Sequence, residues 1–136
     1  MAVIQLQALI RFDQQAYTDL DEVGPIDFYL AEQAAGRASL YAVLKDGKRC
    51  GSVMTRGELE PDSDGNISPN SDKVFVIVAG KTKSEKSVLQ PGLMQLEAMA
   101  RANGYRRIRL HTDRSGLINN LMKLYPDAET IVEWEV

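Results

Sequence analysis

The run KVFVIVAG, Lys73 to Gly80, limits this chain more than any other stretch, because Val74 to Ala79 are apolar without interruption. Side chains alternate across a strand, so an unbroken apolar run has both of its faces in the interior. A strand of that kind belongs at the centre of a sheet covered on both sides by helices. The run is also far short of the ~20 residues that a membrane-spanning helix needs.

Length and composition bound the rest. The chain has 136 residues and 15.1 kDa, which suits one ordinary domain with a proper core. Hydrophobic residues make up 44% and charged residues 26%, a globular balance rather than a disordered or fibrous one. The start, MAVIQLQALIRFDQQ, has no basic lead before its apolar stretch, which argues against a secretory signal. A single cysteine, Cys50, and a single histidine, His111, leave no internal disulfide, thiolate cluster or His-rich zinc site. These features point to a soluble cytoplasmic chain without a membrane partner.

Periodicity orders the elements. Val3 to Leu9 reads as a first strand, and Phe12 to Leu20 carries helical spacing at Phe12, Ala16, Tyr17 and Leu20. Gly24-Pro25 breaks the chain before a second helix to about Ala35, with Gly36 just past its end. Ser39 to Leu44 and Cys50 to Arg56 flank Asp46-Gly47, a strong hairpin signal because both central residues of a type I′ turn need positive φ. Glu58 to Asp72, ELEPDSDGNISPNSD, reads as a mobile surface loop. After the apolar strand, Leu89, Leu93, Leu96 and Ala100 recur at helical spacing and Gly104 ends that helix. Arg106 to Thr112 alternates, Leu117 to Leu124 is a short helix stopped by Pro126, and Glu129 to Val136 closes as a strand. The order β-α-α-β-β-β-α-β-α-β predicts an α/β (α+β) fold. Its sheet is mixed and mostly antiparallel, with about six strands and helices on both faces.

The charge is uneven. Lys81 to Arg114 holds eight basic and three acidic residues, a balance of +5, which leaves −8 for the remainder of a chain whose total is −3. A basic third in an acidic chain either meets something anionic or is a solvated polar face. The low pI of about 5.2 argues against nucleic acid, whose affinity rests on phosphate contacts, and favours a small anionic ligand. His111 shares a strand face with Arg107 and Arg109. Cys50 follows the hairpin and reads as a small strand residue rather than a nucleophile. Asp113 or Ser115 is placed to cap the helix that follows.

The element order resembles that of the GNAT superfamily of acyl-CoA N-acyltransferases. So do VFVIVAG, KTKSEKS, GLMQLEAMARANGY, RRIRLHT and LINNLMKLYPDAETIVEWEV. QLEAMARANGYRRIRL followed by DRSGLINNLMKLYP looks most like small GNAT-like proteins of bacteriophages and prophages. The resemblance implies a single GNAT-like domain over 1–136 and acetyl-CoA or another acyl-CoA as cofactor. It puts the coenzyme's pyrophosphate at the turn after the fourth strand, where helix-start amides and the dipole favour anions. The implied cofactor residues are Val78, Gly80, Lys81, Thr82, Lys83, Lys86, Ser87 and Asn119. The family's glycines are absent from Ser84 to Leu89, and lysines supply charge in their place. Acyl transfer to an amine needs a base and an acid. The family's strand-four carboxylate is missing here, which makes Glu58 (with Glu60 nearby) the substitute base, and Tyr125 matches the family's acid. Two functions follow from the resemblance: an N-acetyltransferase with a degenerate pyrophosphate loop, or a non-catalytic binding or virion-associated protein with this fold. The partners implied are coenzyme A and either a second copy of the chain or a virion component.

Overall fold

The computed structural model describes residues 3–83, 85–110, 123 and 132–135. Its elements are β1 (Ile4–Leu9), α1 (Gln14–Asp21), α2 (Ile26–Ala34), β2 (Ser39–Lys45), β3 (Lys48–Leu59), β4 (Lys73–Thr82), α3 (Glu85–Ala102), β5 (Arg107–Leu110) and β6 (Val132–Glu135). The helix expected over 117–124 lies outside the described residues. The strands form one sheet in the order β1-β2-β3-β4-β5-β6. β1–β2, β2–β3 and β5–β6 pair antiparallel, and β4–β5 pair parallel. A parallel pair needs a crossover, and α3 supplies it. The sheet is therefore mixed and mostly antiparallel, as the sequence predicts.

The local signals explain the turns. Asp46 and Gly47 have φ of 52° and 80°, the two positive values a tight hairpin needs. At the end of α3, Gly104 adopts φ 82°, its N–H donates to the Arg101 carbonyl at 3.1 Å, and that of Tyr105 donates to the Ala100 carbonyl at 2.9 Å. That pair of bonds satisfies carbonyls the helix leaves open.

Two expectations need correction. Helical spacing places the third helix from Leu89, but α3 begins at Glu85 and carries Pro91 inside it. The ring removes the donor that would reach the Ser87 carbonyl. Burial of Val88, Leu93, Leu96 and Ala100 holds the helix through that gap. The acidic loop is also shorter than Glu58 to Asp72, because β3 continues to Leu59. The Glu60 N–H donates to the Asp72 carbonyl at 2.8 Å and closes the loop at its base. Within it, the Asp62 carboxylate accepts the N–H groups of Asp64 and Asn66, both at 2.9 Å.

The chain divides into two compact units. The first comprises residues 1–56 and 78–96. Its core joins Ala16 and Leu20 of α1 and Tyr29 of α2 to Leu40, Met54 and Ala79 of the strands. Leu40 opposes Met54 and Ala42 opposes Ser52, which puts these four on the face that α1 and α2 cover. Val43, Val53 and Thr55, on the opposite face, are buried as well. The second unit comprises residues 57–77 and 97–136. There Val74, Phe75, Val76 and Ile77 are all buried, with Ile108 beside them, so the apolar run has both faces covered as its composition requires. No described helix is long and apolar enough to cross a membrane.

Candidate functional site

The turn from β4 into α3 is built in the first unit. β4 pairs with β5 from Val74 to Ile77 and then continues to Thr82. Val78 packs against the core. Gly80 is exposed, and a Cβ there would meet only ordinary contacts, the nearest at 3.5 Å from Val53. Gly51 on β3 is the tight glycine. A Cβ on it would lie 2.1 Å from the Lys81 carbonyl oxygen and 2.8 Å from the Thr82 Cα. The end of β4 therefore settles onto β3 at a place where only hydrogen fits. The Lys83 N–H donates to the Cys50 carbonyl at 2.9 Å, which anchors the turn and removes that amide as a donor for a ligand.

The lysines differ in environment. Lys81 is half-exposed with its Nζ 3.8 Å from the Glu22 carboxylate, whereas Lys83 is exposed. Lys86 and Ser87 lie in the first turn of α3, and their side chains fall outside the described residues, as do Asn119 and Tyr125. A helix start leaves its first N–H groups without intrahelical partners. The turn therefore offers cationic side chains and a helix start to an anion, without a glycine cradle.

Glu58 and Glu60 lie in the second unit, and they are not simply solvated. Both engage Arg109 of β5, Glu58 at 3.5 Å and Glu60 through a direct hydrogen bond. Some of the basic excess seen in sequence is thus matched by acids from outside the basic stretch, whereas Arg101 pairs with Glu97 inside it at 3.5 Å. Tyr105, which the sequence reading passed over, packs its ring edge-on to Phe75 at 5.4 Å. Its hydroxyl lies where a Cβ on Gly57 would sit.

Sequence reading also missed a polar network beside Cys50. Asp13 caps α1 by accepting the Ala16 N–H at 2.7 Å, and Arg49 grips its carboxylate through two bonds at 2.8 and 3.0 Å. The Arg49 guanidinium also donates to the Ser52 hydroxyl at 3.2 Å. That hydroxyl donates to the buried Asp19 carboxylate at 2.7 Å, and Gln15 donates to the same carboxylate at 3.0 Å. The Arg49 guanidinium holds the Asp13 carboxyl below the usual carboxylate range. The helical spacing from Phe12 hid this cap; the signal in sequence was an Asp within the first residues of that run, a residue type suited to a helix N-cap. Burial pushes the Cys50 thiol up, which suits a strand residue and not a nucleophile. Among the described residues, no group of three His, Cys, Asp or Glu side chains is placed to hold a metal.

No protein-family model and no curated protein sequence matches the chain. Its fold matches solved GNAT-family acetyltransferases. A ribosomal-protein-alanine N-acetyltransferase of Brucella melitensis aligns with TM-score 0.66 at 14% identity, over 93% of each chain. A GNAT family acetyltransferase of Elizabethkingia anophelis, solved with acetyl-CoA bound, aligns with TM-score 0.61 at 15% identity, over 90% of this chain and 74% of the other. A predicted acetyltransferase of Clostridium acetobutylicum, solved with acetyl-CoA, gives TM-score 0.64 at 11% identity, over 96% and 92%. At these identities the likeness is one of fold.

Proposed function

We propose that this chain acts as a single GNAT-type domain that transfers an acyl group from acyl-CoA to an amine, holding the coenzyme at the turn from β4 into α3. The observation that carries this reading is the passage of β4 from Thr82 within three residues into the eighteen-residue α3, in a fold shared with acetyltransferases solved with acetyl-CoA. Coenzyme A carries a pyrophosphate, and Lys81, Lys83 and Lys86 with the start of α3 offer it positive charge. Val78, Gly80, Thr82, Ser87 and Asn119 complete the proposed cofactor set.

Acetyl-CoA supplies a thioester whose acyl carbon an amine attacks, so the chain must take one proton from the amine and return one to the departing thiolate. Glu58 is the carboxylate proposed as base and Tyr125 the hydroxyl proposed as acid. A cytoplasmic location suits such a reaction, and the phage or prophage origin belongs to the same reading. The grip of Arg109 on both Glu58 and Glu60 favours a second reading, in which the chain binds the coenzyme without transferring its acyl group. A carboxylate already engaged by a guanidinium is not free to turn toward an incoming amine.

Thermal unfolding with acetyl-CoA tests the binding. A ligand at a hundred times its dissociation constant stabilises by about 2.7 kcal/mol, and Lys83→Ala and Lys86→Ala should remove most of that shift at constant salt. An unchanged midpoint at millimolar acetyl-CoA defeats both readings. Release of free coenzyme A on addition of amines then separates them, because only the transferase produces it, and Tyr125→Phe should lower the rate.

A further inference from the structure

The first strand ends the sheet, and its open edge has an unusual composition. β1 pairs with β2 from Ile4↔Lys45 to Leu9↔Leu40 without interruption, and no other described strand lies beside it. Exposed strand edges in native sheets are usually blunted by charge, proline or a bulge, since their open N–H and C=O groups invite another strand. From Val3 to Ile10, VIQLQALI, there is no charge and no proline. Val3 and Ile10, at the two ends, are 59% and 95% exposed.

One hydrogen bond fixes which residues face outward. The Val3 carbonyl accepts the Asp46 N–H at 2.8 Å, and the Val3 N–H donates to the Asp46 carboxylate at 2.8 Å, so Val3 directs its backbone toward β2. Backbone groups alternate along a strand. Gln5, Gln7 and Leu9 therefore face β2 as well, and the N–H and C=O groups of Ile4, Leu6 and Ala8 face away from it.

We propose that β1 pairs antiparallel with β1 of a second copy, about a twofold axis at Leu6, joining two sheets edge to edge. This register brings the outward-facing residues together, Leu6 opposite Leu6 and Ile4 opposite Ala8, and makes roughly six backbone hydrogen bonds. It also matches side chains by chemistry. Gln5 meets Gln7 on one face, Ile4 meets Ala8 on the other, and Val3 meets Leu9. A neutral strand meets itself without the like-charge repulsion that destabilises cross-strand pairs. A charged partner would find no complement here, which is why the second copy is the occupant. The twofold uses both β1 edges, so the assembly closes at a dimer.

Light scattering on the full chain after size separation tests this. The expected mass is twice 15.1 kDa at micromolar concentration. Gln5→Lys with Gln7→Lys sets two like-charge pairs across the axis and should weaken the dimer by about tenfold or more. Gln5→Lys with Gln7→Glu sets opposite charges at the same two places and should restore it. Ala8→Pro removes an outward N–H, a position where an edge strand tolerates proline, and should give a folded monomer by circular dichroism. A monomeric wild type, a species larger than a dimer, or a dimer indifferent to the two lysines overturns the proposal. The charge-swapped pair remains decisive if the proline variant unfolds.

Discussion

At the scale of single residues, the two glycines around the β4 turn have opposite roles. Gly80 looks important in sequence because it follows the apolar run, yet a Cβ there has room. Gly51 attracts no notice in sequence, but its missing side chain lets the Lys81 carbonyl approach. Gly51→Ala should cost about 2–3 kcal/mol in denaturant unfolding, in the range of overpacked cores, whereas Gly80→Ala should stay within about 0.5 kcal/mol. Equal costs at the two sites would contradict the close approach. Asp13 adds a pH signature. Its folded carboxyl is held down by Arg49, so its contribution is present at neutral pH and is lost as pH falls below about 4 through the lower folded value. Asp13→Asn should flatten that part of the stability profile, and the size is modest because the pair is partly solvated. Cys50 should react with iodoacetamide more slowly at neutral pH than a free thiol, with a rate midpoint displaced upward.

At the scale of elements, α3 is a helix whose local chemistry and tertiary burial disagree. Pro91 marks a helix start by propensity, and the sequence spacing from Leu89 follows that reading. The observed helix begins at Glu85, about one turn sooner, because Val88 is buried along with Leu93 and Leu96. Pro91→Ala should restore the hydrogen bond to the Ser87 carbonyl and raise stability by about 1 kcal/mol or more, read as a higher unfolding midpoint; a lower one would show that the ring itself is packed. The hairpin at Asp46-Gly47 is the opposite case. Its conformation is set by two adjacent residues, so local sequence sufficed to place it. β3 outran its expected end at Arg56 because Glu58 and Glu60 have a partner in Arg109, forty-nine positions away for Glu60. No local pattern carries that information.

At the scale of the whole molecule, burial should set the order of local opening. Amides of Leu40 to Val43 and Ser52 to Thr55 lie in strands paired within the sheet and should exchange hydrogen slowest, whereas those of 61–70, in the exposed loop, should exchange fastest. Comparable rates in the two sets would contradict this arrangement. The sequence by itself determined the order of the described elements, the hairpin, the helix stop at Gly104 and the interior strand from Val74 to Ala79, because each depends on neighbours within a turn or on periodicity along one element. Only the tertiary structure decided that Gly51 must lack a side chain, that Asp13 both caps α1 and holds Arg49, that Arg109 engages the two glutamates, and that Ile4, Leu6 and Ala8 turn their backbones outward. Those facts arise where distant segments meet, and the free energy of such a meeting is a property of the pair that neither segment carries alone.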